Sequence, residues 1–236
     1  MTKINKDITV NENILEIRFK PNPKVLDYKG SWAEILSVEL RLPEWQIIEN
    51  RADIFEKQKK ERVFIGYRNA GFTCIDTPTA NYFPDKSIKF LKILFTLEGF
   101  GNPVFIERIG VRYKSITPHD KDFDDLLDRY TSRFLKLTDE AAKALDAKMI
   151  DIGGSLNFVD KLGNFNTDGG PMAKEQMKKF INREGDYPDV GLYFDIDYWT
   201  KPKKVLNQTE IISIVKAFST ESWDRKNRIC RIILEN

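Results

Sequence analysis

Few side chains in this sequence have the types and spacing that chemistry requires. The closest is Asn164-Phe165-Asn166-Thr167-Asp168-Gly169, followed by Glu175. It meets the calcium-loop pattern D-x-[DN]-x-[DN]-G-x5-E at every constrained position except the first. Calcium needs several convergent oxygens, and a bidentate glutamate at the last loop position supplies two. Asn164 removes a charge, however, and Pro171 brings a residue without an N–H into the second half of the loop. A metal-free Gly/Asn turn is therefore expected over 163–171. Asp195 and Asp197 offer a second arrangement, two carboxylates on one side of a strand, about 6 to 7 Å apart. Such a pair can hold a divalent ion or share a proton. The sequence places no third ligand beside them, so ion pairs with Arg18, Arg108 and Arg112 on neighbouring strands are the expected fate. His119, the sole histidine, sits in Pro118-His119-Asp120 before a helix and reads as an exposed loop residue rather than a general base. Gly153-Gly154-Ser155 lacks the G-x-S-x-G elbow, and no P-loop, GxGxxG or HExxH occurs. Catalysis has no visible carrier, and no metal or cofactor is implied.

Three basic clusters could touch nucleic acid: EKQKKER (56–62), Lys201-Pro202-Lys203-Lys204, and the set Arg225, Lys226, Arg228 and Arg231. Trp199 lies beside the second, and an aromatic among cations is what single strands exploit. Yet 38 basic and 36 acidic residues leave a formal charge of only +2, which does not call for a polyanionic partner. The chain is 41% hydrophobic and 12% aromatic over 236 residues, enough to build a large core. Cys74 and Cys230 form no CxxC pair, so reduced thiols are expected. With no apolar leader and no apolar run near the ~20 residues of a membrane helix, a cytoplasmic location is expected.

These side chains must be positioned by strands. Residues 104–117, VFIERIGVRYKSIT, alternate apolar Phe105, Ile109, Val111 and Tyr113 with basic Arg108, Arg112 and Lys114, the pattern of a half-buried strand. Leu15, Ile17 and Phe19 alternate in the same way with Glu16, Arg18 and Lys20 near the start. Helices are predicted over 25–42, 84–98, 122–136, 139–148, 173–181 and from 209 onward, where apolar residues recur at three- and four-residue spacing. Residues 45–55, 63–76, 150–160 and 190–200 read as further strands, while the tail RICRIIL reads as either strand or helix end. Each half then runs strand, helix, strand, strand, helix. The expected architecture is an α+β single domain, 1–236, of two similar halves, 12–100 and 104–228. Its sheet is mainly antiparallel, with helices on one face.

The segments ILEIRF (14–19), FIERIGVRY (105–113) and GLYFDIDYW (191–199) resemble, in the same order, a sporadically distributed family of bacterial proteins of about this length. ERIGVRY is its most specific piece. That family carries no assigned activity or catalytic residue. Its scattered distribution implies genes in variable islands such as mobile elements or phage-defence clusters. The duplicated strand-helix-strand-strand units also resemble gyrase-inhibitor-like ligand-binding domains with a cleft between halves. Three functions stay open: a non-enzymatic module recognising a partner protein or a second copy of itself, a nucleic-acid-binding subunit, and a small-molecule sensor. The first is expected, with Arg18, Arg108, Arg112, Tyr193, Asp195 and Asp197 as the recognition row on the outer sheet face.

Overall fold

The computed structural model describes residues 9–56, 60–101, 105–135, 144, 149–183 and 185–235. Nine strands form one antiparallel sheet: β1 (Val10–Phe19), β2 (Glu44–Ile48), β3 (Arg51–Glu56), β4 (Glu61–Gly66), β5 (Asn69–Ile75), β6 (Ile106–Pro118), β7 (Gly154–Val159), β8 (Asn164–Ala173) and β9 (Val190–Thr200). Their order across the sheet is β2-β3-β4-β5-β1-β6-β9-β8-β7. The helices are α1 (Lys24–Leu40), α2 (Tyr82–Leu94), α3 (Phe123–Arg129), which continues as a π-helical turn over Tyr130–Leu135, α4 (Lys174–Phe180) and α5 (Gln208–Leu234). The architecture is α+β. The helix expected over 139–148 lies outside the described residues apart from position 144.

β1 and β6 lie side by side at the centre, running antiparallel from Val10 opposite Ile116 to Ile17 opposite Ile109. On each flank the last strand of a half pairs with its first, β5 with β1 and β9 with β6. Period-two alternation sends Leu15, Ile17, Ile109, Val111, Ile196 and Tyr198 into one continuous core with α1, α2 and α5. This first face is sealed further by Leu126 and Tyr130 of the α3 segment, packed on Leu192 and Phe194.

Several sequence readings are corrected. Phe105 is not buried but 47% exposed, and Ile106 takes its place. The cause is a bulge between Arg18 and Phe19, where Phe19 faces Ile106 and one extra residue of β6 flips the alternation. The single strands read over 45–55 and 63–76 are each a hairpin, β2–β3 and β4–β5. RICRIIL is the last part of α5. The supposed Gly/Asn turn is strand β8, inserted between β7 and β9. Its Pro171 is tolerated because β7 pairs only with 164–169, so beyond Gly169 the strand is an edge where an absent N–H costs little. Helices do not keep wholly to one face. Met177 of α4 packs with Ile116 and Tyr193, which point to the second face.

Candidate functional site

The second face of the sheet carries a row of charges set by register. Ile14 lies opposite Arg112, Glu16 opposite Gly110, and Arg112 in turn opposite Asp197 on β9. Because facing residues share a side, Glu12, Glu16, Arg18, Arg108, Arg112, Lys114, Asp195 and Asp197 all project the same way.

They form two networks. In the first, Glu16 is the hub. Arg18 donates through Nε and Nη2 to Glu16 Oε2 at 3.0 and 2.9 Å, and Asn69 Nδ2 donates to Oε1 at 2.9 Å. Arg108 Nη1 lies 3.6 Å from Glu16 Oε2, and its Nη2 donates to Asp197 Oδ2 at 3.0 Å. Gly110 leaves the room this needs, since a Cβ there would stand 2.6 Å from Arg108 Nη1. Burial lifts the Asp197 carboxyl, outweighing the arginines that pull it down. Trp199 ends this network, with the Arg108 guanidinium 5.8 Å and Lys201 Nζ 5.6 Å from its ring.

The second network is the deeper one. Arg112 donates from Nε to Asp195 Oδ1 at 2.8 Å and from Nη2 to Oδ2, a fork that fixes the guanidinium plane. Tyr193 donates its hydroxyl to Asp195 Oδ2 at 3.2 Å. Burial, then the charge of Asp195, pushes the Tyr193 hydroxyl well above the usual phenol range, with Asp168 adding to it. Tyr193 is 2% and Asp195 3% exposed, so neither belongs to an open recognition row as the sequence implied. α4 is the reason, with Phe180 tilted against the Tyr193 ring at 4.7 Å.

Beside α4 the cover stops and a concavity of about 640 Å³ opens. Its floor is Arg112, Tyr193 and Asp195; Asp168 and the glycine pairs 153–154 and 169–170 form one wall, Lys179 and Phe180 the other. The wall depends on glycine: a Cβ on Gly170 would stand 2.4 Å from the Ile152 carbonyl oxygen. Lys114 also reaches the concavity, but its Nζ is engaged by Glu12 Oε2 at 2.6 Å and the Phe180 carbonyl at 3.2 Å.

The structure thus joins Arg112, Tyr193 and Asp195 in the concavity and leaves Arg18, Arg108 and Asp197 outside it. Sequence reasoning missed Glu16 as a hub, although its outward position in β1 was visible, and it missed Asp168 and Lys179. Asp168 was noted only as a calcium ligand. In β8 it stands in an extended strand, about 7 Å from its next same-side neighbour Asn166, while Glu175 pairs with Lys178 at 2.7 Å. Those oxygens do not converge. Among the described residues no group of three or more His, Cys, Asp or Glu could hold a metal ion, and no helix is long and apolar enough to cross a membrane.

His119 is not exposed, its side chain being 5% accessible, with Nε2 2.8 Å from Asp125 Oδ2. Arg129 also donates to that oxygen at 2.8 Å and ties the α5 end through the Leu234 carbonyl. The basic clusters are largely engaged. Arg62 pairs with Asp53 at 2.8 Å, Lys204 with Glu210 at 2.6 Å, Arg225 with Asp160 at 2.6 Å and Arg228 with Glu221 at 2.8 Å, while Lys226 is buried. Residues 57–59 of EKQKKER lie outside the described residues.

No protein-family model matches this sequence, and the comparison with curated proteins returns no match.

Proposed function

We propose that this chain is a binding or regulatory module that recognises a partner protein through the second face of its sheet. The observation that carries the reading is the pre-arranged side-chain lattice around Glu16. Arginines and an aromatic are the types that dominate interface energetics, and here their rotamers are already held, which lowers the ordering cost of association. The same lattice argues against nucleic acid: arginines already holding carboxylates have little left to neutralise phosphates with.

The concavity favours a second reading, a small-ligand sensor, because its volume falls within the range of ligand sites. It lies within the second half rather than between the halves.

A test of the first reading must avoid Arg108 and Arg112, whose loss would leave carboxylates unpaired. Arg18, 54% exposed in its side chain, and Trp199 are better positions. Wild-type protein, Arg18→Glu/Trp199→Ala and a control, Val38→Asp on the outer side of α1, would be used to retain partners from the expressing cells. A partner kept by wild type and control but lost from the sheet-face variant, with thermal stability unchanged, is expected. Loss from the control alone would move recognition to the helical side and overturn the reading.

A further inference from the structure

The concavity holds charges of both signs that the protein itself leaves unused. Arg112 spends one edge of its guanidinium, Nε and Nη2, on Asp195, so Nη1 has no partner among the described residues while the side chain stays 45% exposed. Asp195 is buried and cannot swing away, which holds that free edge in place. Lys179 on the neighbouring wall makes no hydrogen bond or ion pair within the described residues. One side of the concavity is therefore a fixed anion receptor with a second cation beside it.

Facing it is a cation receptor. Asp168 is the direct cross-strand neighbour of Asp195 and, like Lys179, has no hydrogen bond or ion pair among the described residues. Asp151 stands on the same wall, accepting from Gln176 Nε2 at 3.3 Å. Arg112 on β6 and Asp168 on β8 flank the Asp195 carboxylate from opposite sides of β9, so the strands that carry the two receptors stand two spacings, about 10 Å, apart, and Arg112 reaches inward across that gap to Asp195. Next along β9 from Asp195 comes Tyr193 with the Phe180 ring against it, and Met172 follows on β8, so an apolar ledge stands to one side of the two receptors.

Resting on the small-ligand reading above, we propose that the concavity binds a small zwitterion of the α-amino-acid type with an apolar or aromatic side chain. The carboxylate meets Arg112 Nη1 and Lys179, the ammonium meets Asp168, and the side chain lies on Phe180 and Tyr193. A phosphate-rich ligand is disfavoured, because Asp168 and Asp151 would stand against its charge.

Isothermal titration of the full chain with free L-phenylalanine, L-leucine and L-methionine tests this, alongside the N-acetyl and carboxamide forms of each and inorganic phosphate. Saturable binding of a free amino acid is expected, weakened about tenfold or more when either end is blocked, the loss that follows from removing one charge-assisted contact. Asp168→Asn should weaken the free amino acid and leave its N-acetyl form unaffected, and Lys179→Gln should likewise weaken the free amino acid and leave its carboxamide unaffected. Neither position sits in a buried pair, so both variants should fold as wild type. A blocked form or phosphate binding as tightly as the free amino acid overturns the ligand class while leaving the concavity as a site. Absence of binding by every probe overturns the class and the small-ligand reading together, leaving the partner-protein reading untouched.

Discussion

Two arginines one strand apart show how burial decides what a charge contributes. Arg18 and Arg112 each present Nε and Nη2 to one carboxylate, but Glu16 retains solvent contact, whereas Asp195 is 3% exposed. Removing Arg18 returns Glu16 to water and to Asn69 and Arg108. Removing Arg112 leaves the Asp195 carboxylate, among the described residues, with the Tyr193 hydroxyl as its one hydrogen-bond donor. Arg18→Ala should therefore cost less than about 1 kcal/mol. Arg112→Ala should cost about 3 kcal/mol, the low end for breaking a buried pair because Arg112 itself is half exposed. Urea unfolding of the two variants measures both, and near-equal costs would contradict the difference in burial. The alternation that put both arginines on one face was legible in the sequence. Their partners were legible only in part, because Asp195 and Asp197 could be paired with the arginines by residue type, while the choice among them depends on strand register. The inward burial of Tyr193 and Asp195 was hidden for another reason: it depends on α4 crossing the second face, a tertiary fact that leaves no trace in the periodicity of β9.

Among the elements, β8 and α4 build the concavity, and β8 is the strand that the sequence presented as a turn. NFNTDGGPMA is poor in β-branched residues and carries two glycines and a proline, all marks of a turn. It is a strand because β9, rich in aromatics and fully registered, offers it a template from Asn164 opposite Trp199 to Ala173 opposite Val190. The residues that looked like turn signals act through size. Gly169 admits the Phe194 ring, which would stand 2.6 Å from any added Cβ, and Gly170 admits the Ile152 backbone. Strongly periodic elements such as β1, β9, α1 and α5 were readable because packing follows their pattern; β8 takes its conformation from its neighbours. Gly170→Ala should accordingly push the 151–153 segment away and destabilise by about 1 to 3 kcal/mol, as overpacking does. Unfolding midpoints would register the loss, and hydrogen exchange should rise at Ile152 and Gly154 ahead of the rest of the chain. An alanine variant as stable as wild type, with those amides still protected, would mean the wall has slack that the structure does not show.

At the scale of the molecule, the apparent repetition invites the idea of two independent halves, and the core argues otherwise. One cluster of buried side chains runs without a break from Trp32, Ile54 and Phe72 through Leu15 and Ile109 to Tyr198 and Phe218. β1 and β6 seam the sheet over ten paired positions, and α2 of the first half packs on α5 of the second. Neither half could close its own sheet edge, since cutting at the seam would expose the flank of β1 or β6 together with the apolar surface α5 covers. Cooperativity follows from shared burial, because opening either half costs the other its packing. Trp32, buried in α1, and Trp223, in α5 with its ring 5.4 Å from Tyr113, sit in different halves and report on each. Variants keeping only one of these two tryptophans, the other three replaced by phenylalanine, should show the same fluorescence midpoint in urea, coincident with far-ultraviolet dichroism. Residues 1–101 expressed alone should show no cooperative transition. Separate midpoints for the two probes, or a folded fragment, would mean that the halves are autonomous and that the continuous core is a contact rather than a common foundation.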